Sequence, residues 1–271
     1  MMSPIKRRLK NIFYSTGNAR LLDRIIFNWS KLKYSFANNR YKTKNPGIPL
    51  PPAYFLYETY MPDYERYMDD GRVAAQEIID WTIRYIPGSP VMIMEWGCGV
   101  ARIVRHLPAI LQERAGISAC DINEKMINWD RENIQGIEFS RINLFPPTMY
   151  TPGQFNIVYA ISVFTHIDGR EHMSWIMEMH RILMQGGIFL FTTHGKNFYH
   201  QLAGNELKLL ADEGYFTRSY PDKGHRMMTT YNEADHFRTM VSACFEVLEF
   251  HDGQVDHEKT GGQDLWIIRK K

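Results

Sequence analysis

Val91-Met-Ile-Met-Glu-Trp-Gly-Cys-Gly-Val-Ala-Arg102 reads as a buried strand, a tight glycine turn and the start of a helix. Val91 to Met94 are apolar without interruption and are entered through Pro87-Gly88-Ser89-Pro90. Such a run suits a parallel strand covered on both faces. Gly97 and Gly99 remove two side chains where the chain reverses, which permits positive φ and lets a ligand approach the backbone. Glu95 stands at the carboxyl end of the strand, where ligands bind in an open α/β sheet.

Outward from this turn, Ile117-Ser118-Ala119-Cys120 reads as the next strand and ends in Asp121, one helix and one strand beyond Gly99. An acidic side chain there accepts hydrogen bonds from both ribose hydroxyls of a nucleoside cofactor. A Gly-x-Gly-x-x-Gly turn would carry its third glycine at position 102 to seat a pyrophosphate, and this chain has Arg102. A dinucleotide therefore fits poorly, which leaves an NAD(P)-dependent oxidoreductase as the second enzyme reading.

Three segments stand in the order and at the intervals of class I S-adenosylmethionine-dependent methyltransferases. They are Glu95-Trp96-Gly97-Cys98-Gly99, Phe155-Asn156-Ile157-Val158-Tyr159-Ala160-Ile161-Ser162 and Arg181-Ile182-Leu183-Met184-Gln185-Gly186-Gly187. The chain resembles that family over about residues 70 to 271. The resemblance implies an α/β, Rossmann-like fold: a seven-stranded, mostly parallel sheet in the order 3-2-1-4-5-7-6, one strand antiparallel, with helices on both faces. It implies S-adenosyl-L-methionine as cofactor, with contacts at Glu95, Gly97, Cys98, Gly99, Arg102, Asp121, Ile122, Asn143, Leu144 and Ser162. Arg102 is the candidate partner of the methionine carboxylate, and Asn143, where the family more often has Asp, of the adenine.

With 271 residues, 44% of them apolar, the chain can bury one substantial core with room for an appendage rather than a second large domain. Three cysteines, an odd number without metal-ligand spacing, favour a reduced compartment. No secretory h-region and no run of roughly 18 apolar residues appears, so a cytoplasmic enzyme is expected. The net charge of +2 hides an asymmetry. Residues 1–50 hold six Lys and five Arg against Asp23 alone, net +10, and the remainder is net −8.

That basic arm carries helical patterns at residues 5–13 and again at Leu22, Ile25, Ile26, Trp29, Leu32 and Phe36, flanked by Arg24, Lys31 and Lys33. Two readings compete. The helices pack on their own domain or a sister chain with solvated basic faces, or residues 1–44 lie on an anionic membrane surface, the enzyme being peripheral at the inner face of the plasma membrane. Asn45-Pro-Gly-Ile-Pro-Leu-Pro-Pro52 cannot be helical and divides a helical extension, 1–50, from the catalytic domain, 51–271. Nucleic acid is the weaker partner class, because the catalytic half is acidic and no Asn-Pro-Pro-Tyr-type motif is present.

The tyrosines of residues 53–68 are expected to pack with hydroxyls outward. A helix is expected from Asp69-Asp70-Gly71 to about Ile86, another over 123–134, a short strand at Ile137–Ser140 and a helix over 171–184, closed by Gly186-Gly187 before strand 188–193. After a polar insertion at 196–230, in which Tyr215–Tyr220 pairs as a short strand, Asn232 is expected to cap a helix to Ala243. Strands 245–250 and 265–269 form the closing antiparallel pair.

Methyl transfer from a sulfonium to oxygen requires the acceptor to be held in line and one proton to be removed. A sugar hydroxyl is a weak acid, and histidine is the natural base. His166, after the fourth strand, is the preferred base; His194, ending the fifth, is the second; Asp168 is placed to orient or replace His166. The competing reading of each histidine is that it only satisfies a backbone group, and a non-catalytic cofactor-binding module is the corresponding alternative function. No metal site is expected, the ligand-rich segment 251–257 reading as a solvated loop. Ser162 to His166, Thr192-Thr193-His194-Gly195 and Gly261-Gly262-Gln263-Asp264 look similar to methyltransferases of bacterial surface-polysaccharide and glycoconjugate pathways, which implies a glycan or related small-molecule hydroxyl as acceptor.

Overall fold

The computed structural model describes residues 19–88, 90–112, 115–219, 228–256 and 260–271, so the helical pattern at 5–13 lies outside the described residues. At its centre β1 (Val91–Trp96) runs parallel to β2 (Ala115–Asp121) on one side and β4 (Phe155–Ala160) on the other. Beyond them lie β3 (Glu138–Arg141) and β5 (Leu183–Thr193), both parallel to their neighbours. β9 (Asp264–Lys270) pairs antiparallel with β5, and β8 (Phe245–His251) antiparallel with β9. The seven-stranded order β3-β2-β1-β4-β5-β9-β8 is the expected order, with β9 the one reversed strand.

Alternation along the strands sorts the apolar side chains into two cores. Val91, Ile93, Ile157, Ile188 and Leu190 face α3 (Tyr64–Thr82), α4 (Leu107–Leu111) and α5 (Glu124–Asn133). Met94, Trp96, Val158, Phe189 and Phe191 face α6 (His172–Ile182) and α8 (Ala234–Ser242). Cys98 and Cys120 are buried and Cys244 is half-buried, each a free thiol. Between β5 and α8 the chain forms α7 (Gly204–Glu213) and the hairpin of β6 (Tyr215–Ser219) with β7 (Met228–Asn232), a separate sheet. The hairpin rests on the loop after β4: Thr230 Oγ1 donates to the Ile167 carbonyl at 2.6 Å, and Gly169 N to Thr217 Oγ1 at 3.0 Å.

Four local expectations are corrected. α3 starts at Tyr64, because Asp63 caps it by accepting from Arg66 N at 3.2 Å, so Asp69 to Gly71 are interior. Gly71 is required there by close approach: a Cβ would lie 2.1 Å from the Arg102 carbonyl oxygen. β5 begins at Leu183, ahead of the glycine pair, with the register to β4 shifted between Phe155 and Ile157. Asn232 ends β7 and its side chain caps nothing; Glu233 occupies the N-cap of α8. Tyrosine hydroxyls of residues 53–68 point inward where the ring is buried, Tyr64 donating to the Pro51 carbonyl at 2.9 Å and Tyr67 to that of Val100 at 2.5 Å.

Among the described residues of the N-terminal basic segment, Ala19–Lys44 form one long helix, α1, docked on α2 (Ala53–Thr59) and α3. Phe27 packs edge-on against Tyr54 at 5.1 Å, and Tyr57 donates to Asp23 at 2.9 Å. Asn38, 9% exposed, donates to the Pro62 carbonyl at 2.8 Å and accepts from Tyr64 N at 2.9 Å, so it ties α1 to the start of α3. Asn38→Ala strands both buried partners, and thermal or urea unfolding is expected to show a loss of about 1–3 kcal/mol. A loss within error would mean that α1 is not part of the cooperative unit.

Candidate active site

The glycine turn is held from beneath by β2. Gly97 N and Cys98 N both donate to the Cys120 carbonyl, at 2.8 and 3.1 Å, and Ala101 N to that of Cys98 at 2.9 Å. Gly97 and Gly99 take φ of +77° and +57°, as the sequence reading requires. Asp121 clamps the turn: Oδ2 accepts from Gly99 N at 2.9 Å and Oδ1 from Asn123 N at 2.8 Å. Ile122 N bonds the carboxylate as well, and with about four acceptor sites on its two oxygens Asp121 keeps capacity for a ribose hydroxyl. Ile122 and Leu144, 47% and 54% exposed at the mouths of adjacent strands, offer an apolar surface suited to a flat base. Asn143 is exposed beside them. These features fit an adenosine-bearing cofactor.

Two side chains roof the turn. A Cβ on Gly97 would lie 2.5 Å from Val163 Cγ2, and one on Gly99 2.6 Å from Thr59 Cγ2. The loop after β4 and the end of α2 thus converge on the same two glycines. Arg102 stacks on the Tyr60 ring, 4.6 Å from its centroid, and the Tyr60 hydroxyl bonds Asp70. Arg105 donates to the Tyr67 hydroxyl and the Pro49 carbonyl, each at 2.9 Å. The proline-rich segment is therefore fastened to the helical side of the turn.

Acidic groups gather below. Glu95, 4% exposed, accepts from Val104 N at 3.0 Å and from the Tyr159 hydroxyl at 3.1 Å on the same oxygen, and burial pushes its carboxyl up to about 8. Burial likewise raises Asp121 and the Cys98 thiol. Asp130 on α5 is the residue that sequence reading missed: fully buried, neither oxygen partnered, and raised to about 8 by burial and then by Asp121 and Glu95. Its signal lay in the pattern, since Met126, Ile127 and Asp130 share the core face of α5.

The pH consequence follows from the sign of that shift. The native state keeps the Asp130 proton to about pH 8, whereas the unfolded chain releases it near 3.8. Native protein then binds more protons in that window, and stability falls as pH rises through it. Asp130→Asn is expected to flatten the fall in melting temperature of cofactor-free protein between about pH 5 and pH 8. An unchanged slope would locate the retained proton elsewhere.

At the rim, Ser162 takes φ of +60° and is fixed by three neighbours. Its N–H donates to Thr192 Oγ1 at 2.8 Å, its carbonyl accepts from Thr165 Oγ1 at 2.7 Å, and its hydroxyl accepts from Gln263 Nε2 at 2.7 Å. His166, half-buried, has Nδ1 2.9 Å from the Met228 carbonyl. A carbonyl only accepts, so Nδ1 carries the proton in the neutral ring. His194 lies close enough to His166 to feel its charge; burial lowers its pKa to about 3, its ring stacks on Phe198 at 4.2 Å, and Nδ1 is buried without a partner. Asp168 is engaged by Arg170, which donates from Nη2 at 2.7 Å and from Nε at 3.0 Å and holds the carboxyl below its usual range. The buried amide of Asn232 and the Gln263 side-chain carbonyl complete the polar set, both unpartnered. Among the described residues no group of three or more His, Cys, Asp or Glu gathers to hold a metal ion.

Residues 93–187, from β1 to the glycine pair inside β5, match a family model described as a methyltransferase domain. Among solved structures, the chain is similar to an S-adenosylmethionine-dependent methyltransferase of Methanosarcina mazei, with a TM-score of 0.54 and 18% identity over 69% of this chain and 95% of that one. It is also similar to a protein of Pyrococcus horikoshii, with a TM-score of 0.53 and 15% identity over 79% and 98%. At such identities the likeness is one of fold. The fold is the Rossmann-like fold of S-adenosylmethionine-dependent methyltransferases, and the methyltransferase-domain match spans the glycine turn and Asp121. The methyltransferase-domain match makes this an enzyme of methyl transfer with S-adenosylmethionine as its cofactor.

Proposed function

We propose that the enzyme methylates a hydroxyl of a sugar, glycan or related small molecule, with His166 as general base. The observation that supports this reading is the hydrogen bond from His166 Nδ1 to the Met228 carbonyl, which places the proton of the neutral ring on Nδ1 and assigns the base role to Nε2. S-adenosylmethionine supplies the electrophilic methyl group. The chain's residues hold the acceptor and take its proton at Nε2, and a half-buried imidazolium can pass that proton to solvent. His194, held neutral by burial, lines the same rim and is the second candidate. Asp168, with its carboxylate committed to Arg170, is reserved for positioning the loop that carries His166. Cofactor contacts are proposed at Glu95, Gly97, Cys98, Gly99, Arg102, Asp121, Ile122, Asn143, Leu144 and Ser162.

A polyol is favoured over a flat apolar acceptor because the polar side chains of Asn232, Gln263, Ser162 and Thr192 gather at the strand ends, with unpartnered amide atoms on Asn232 and Gln263. An acceptor assembled on a lipid carrier would place the enzyme in the cytoplasm, peripheral at the inner membrane face. Mass comparison of cell glycans and small metabolites, with and without the protein, tests the reading. Loss of a single-methyl increment from a glycan or sugar is expected, and loss confined to protein or nucleic acid sinks it.

A further inference from the structure

Helix α1 divides its residues between two opposite faces. Asp23, Phe27, Asn38 and Tyr41 turn toward α2 and α3, where their partners lie. At 100° per residue the opposite side carries Leu21, Ile25, Trp29, Leu32 and Phe36, with Ile26 on its flank, and these side chains are 40–80% exposed. Of the apolar stripe read from the sequence, Ile25, Trp29, Leu32 and Phe36 are thus not on the face that docks on the domain. A helix usually buries such a stripe, and this one displays it while a second face holds the helix in place.

Charge distinguishes the occupant. Arg24, Lys31 and Lys42 border the stripe on one side and Lys33, Arg40 and Lys44 on the other, all six exposed. Asp23 is the single acid of the helix and is bonded to Tyr57 on the inner face. A second copy of the helix laid on this stripe would bring two all-cationic borders together. An anionic surface neutralises both while the apolar residues enter the acyl boundary. Among the described residues no helix is long and apolar enough to cross a membrane, so α1 would lie in the interface plane.

We infer that the outward face of α1 docks on an anionic lipid surface. The inference is independent of the acceptor, since none of these residues touches the glycine turn or the rim. Full-length protein is expected to sediment at low salt with vesicles of phosphatidylglycerol and phosphatidylcholine, and not with phosphatidylcholine alone. Lys31→Gln with Lys33→Gln should weaken that binding by roughly 25-fold, about fivefold per cation removed. Trp29→Glu with Phe36→Glu should abolish it, with circular dichroism and melting temperature unchanged because both side chains are exposed. Three results overturn the inference. They are no binding to anionic vesicles, binding that neither pair of substitutions alters, and a dimer in solution that Trp29→Glu with Phe36→Glu dissociates without any vesicle binding.

Discussion

His166→Asn is expected to lower kcat by about 10²- to 10⁴-fold, the range of a lost general base, while the affinity for S-adenosylmethionine stays within about twofold of the wild type. The substitution separates two functions of one ring. An asparagine amide can still donate to the Met228 carbonyl in place of Nδ1–H, which keeps the loop after β4 anchored to β7. It supplies no basic lone pair where Nε2 stood. His166→Ala loses both, and should add a fall in melting temperature to the same loss of kcat. The pH profile is the readout that a purely structural role would not move. Wild-type kcat should rise with pH as the imidazole deprotonates, and that limb should vanish in His166→Asn. His194→Asn should retain most activity, because burial lowers the pKa of His194 to about 3 and makes it a weak base. If His194→Asn loses the limb and His166→Asn keeps it, the assignment is reversed.

The sheet was legible wherever apolar runs and glycine turns coincide. Val91 to Met94, Phe155 to Ala160 and the last two strands each carry a signal within a few residues, and the class of fold supplies their order. Helix starts were less so, because Asp63 and Asp69-Asp70-Gly71 are both plausible starts and the choice between them is tertiary. Gly71 is a glycine to let α3 touch the Arg102 backbone, and no local pattern distinguishes that from a turn. The periodicity of α1 is plain in the sequence and its direction is not, since an apolar stripe specifies a face and not the partner that covers it. At the site, Glu95, Gly97, Gly99 and Asp121 could be placed because their intervals are short and fixed. The Gln263–Ser162 hydrogen bond joins residues 101 positions apart, beyond any local rule.

Gly99→Arg is expected to weaken S-adenosylmethionine binding by at least about 100-fold, or about 2.7 kcal/mol, as read by calorimetry. Three costs coincide at this residue. Its φ of +57° penalises any side chain, by about 1–2 kcal/mol. Any Cβ there meets Thr59 Cγ2 at 2.6 Å, so either the turn or the end of α2 must shift. Its N–H is the one that Asp121 Oδ2 accepts, so a shifted turn moves the carboxylate to which we assign the ribose hydroxyls. The arginine side chain then stands at the mouth of the crevice. Gly99→Ala separates these effects: paired with Thr59→Ala it loses the methyl contact and keeps the backbone strain, so the pair should bind more tightly than Gly99→Ala alone yet less tightly than wild type. A Gly99→Arg protein that melts like the native chain and binds the cofactor within about tenfold would remove this turn from the cofactor site, and with it the role given to Asp121.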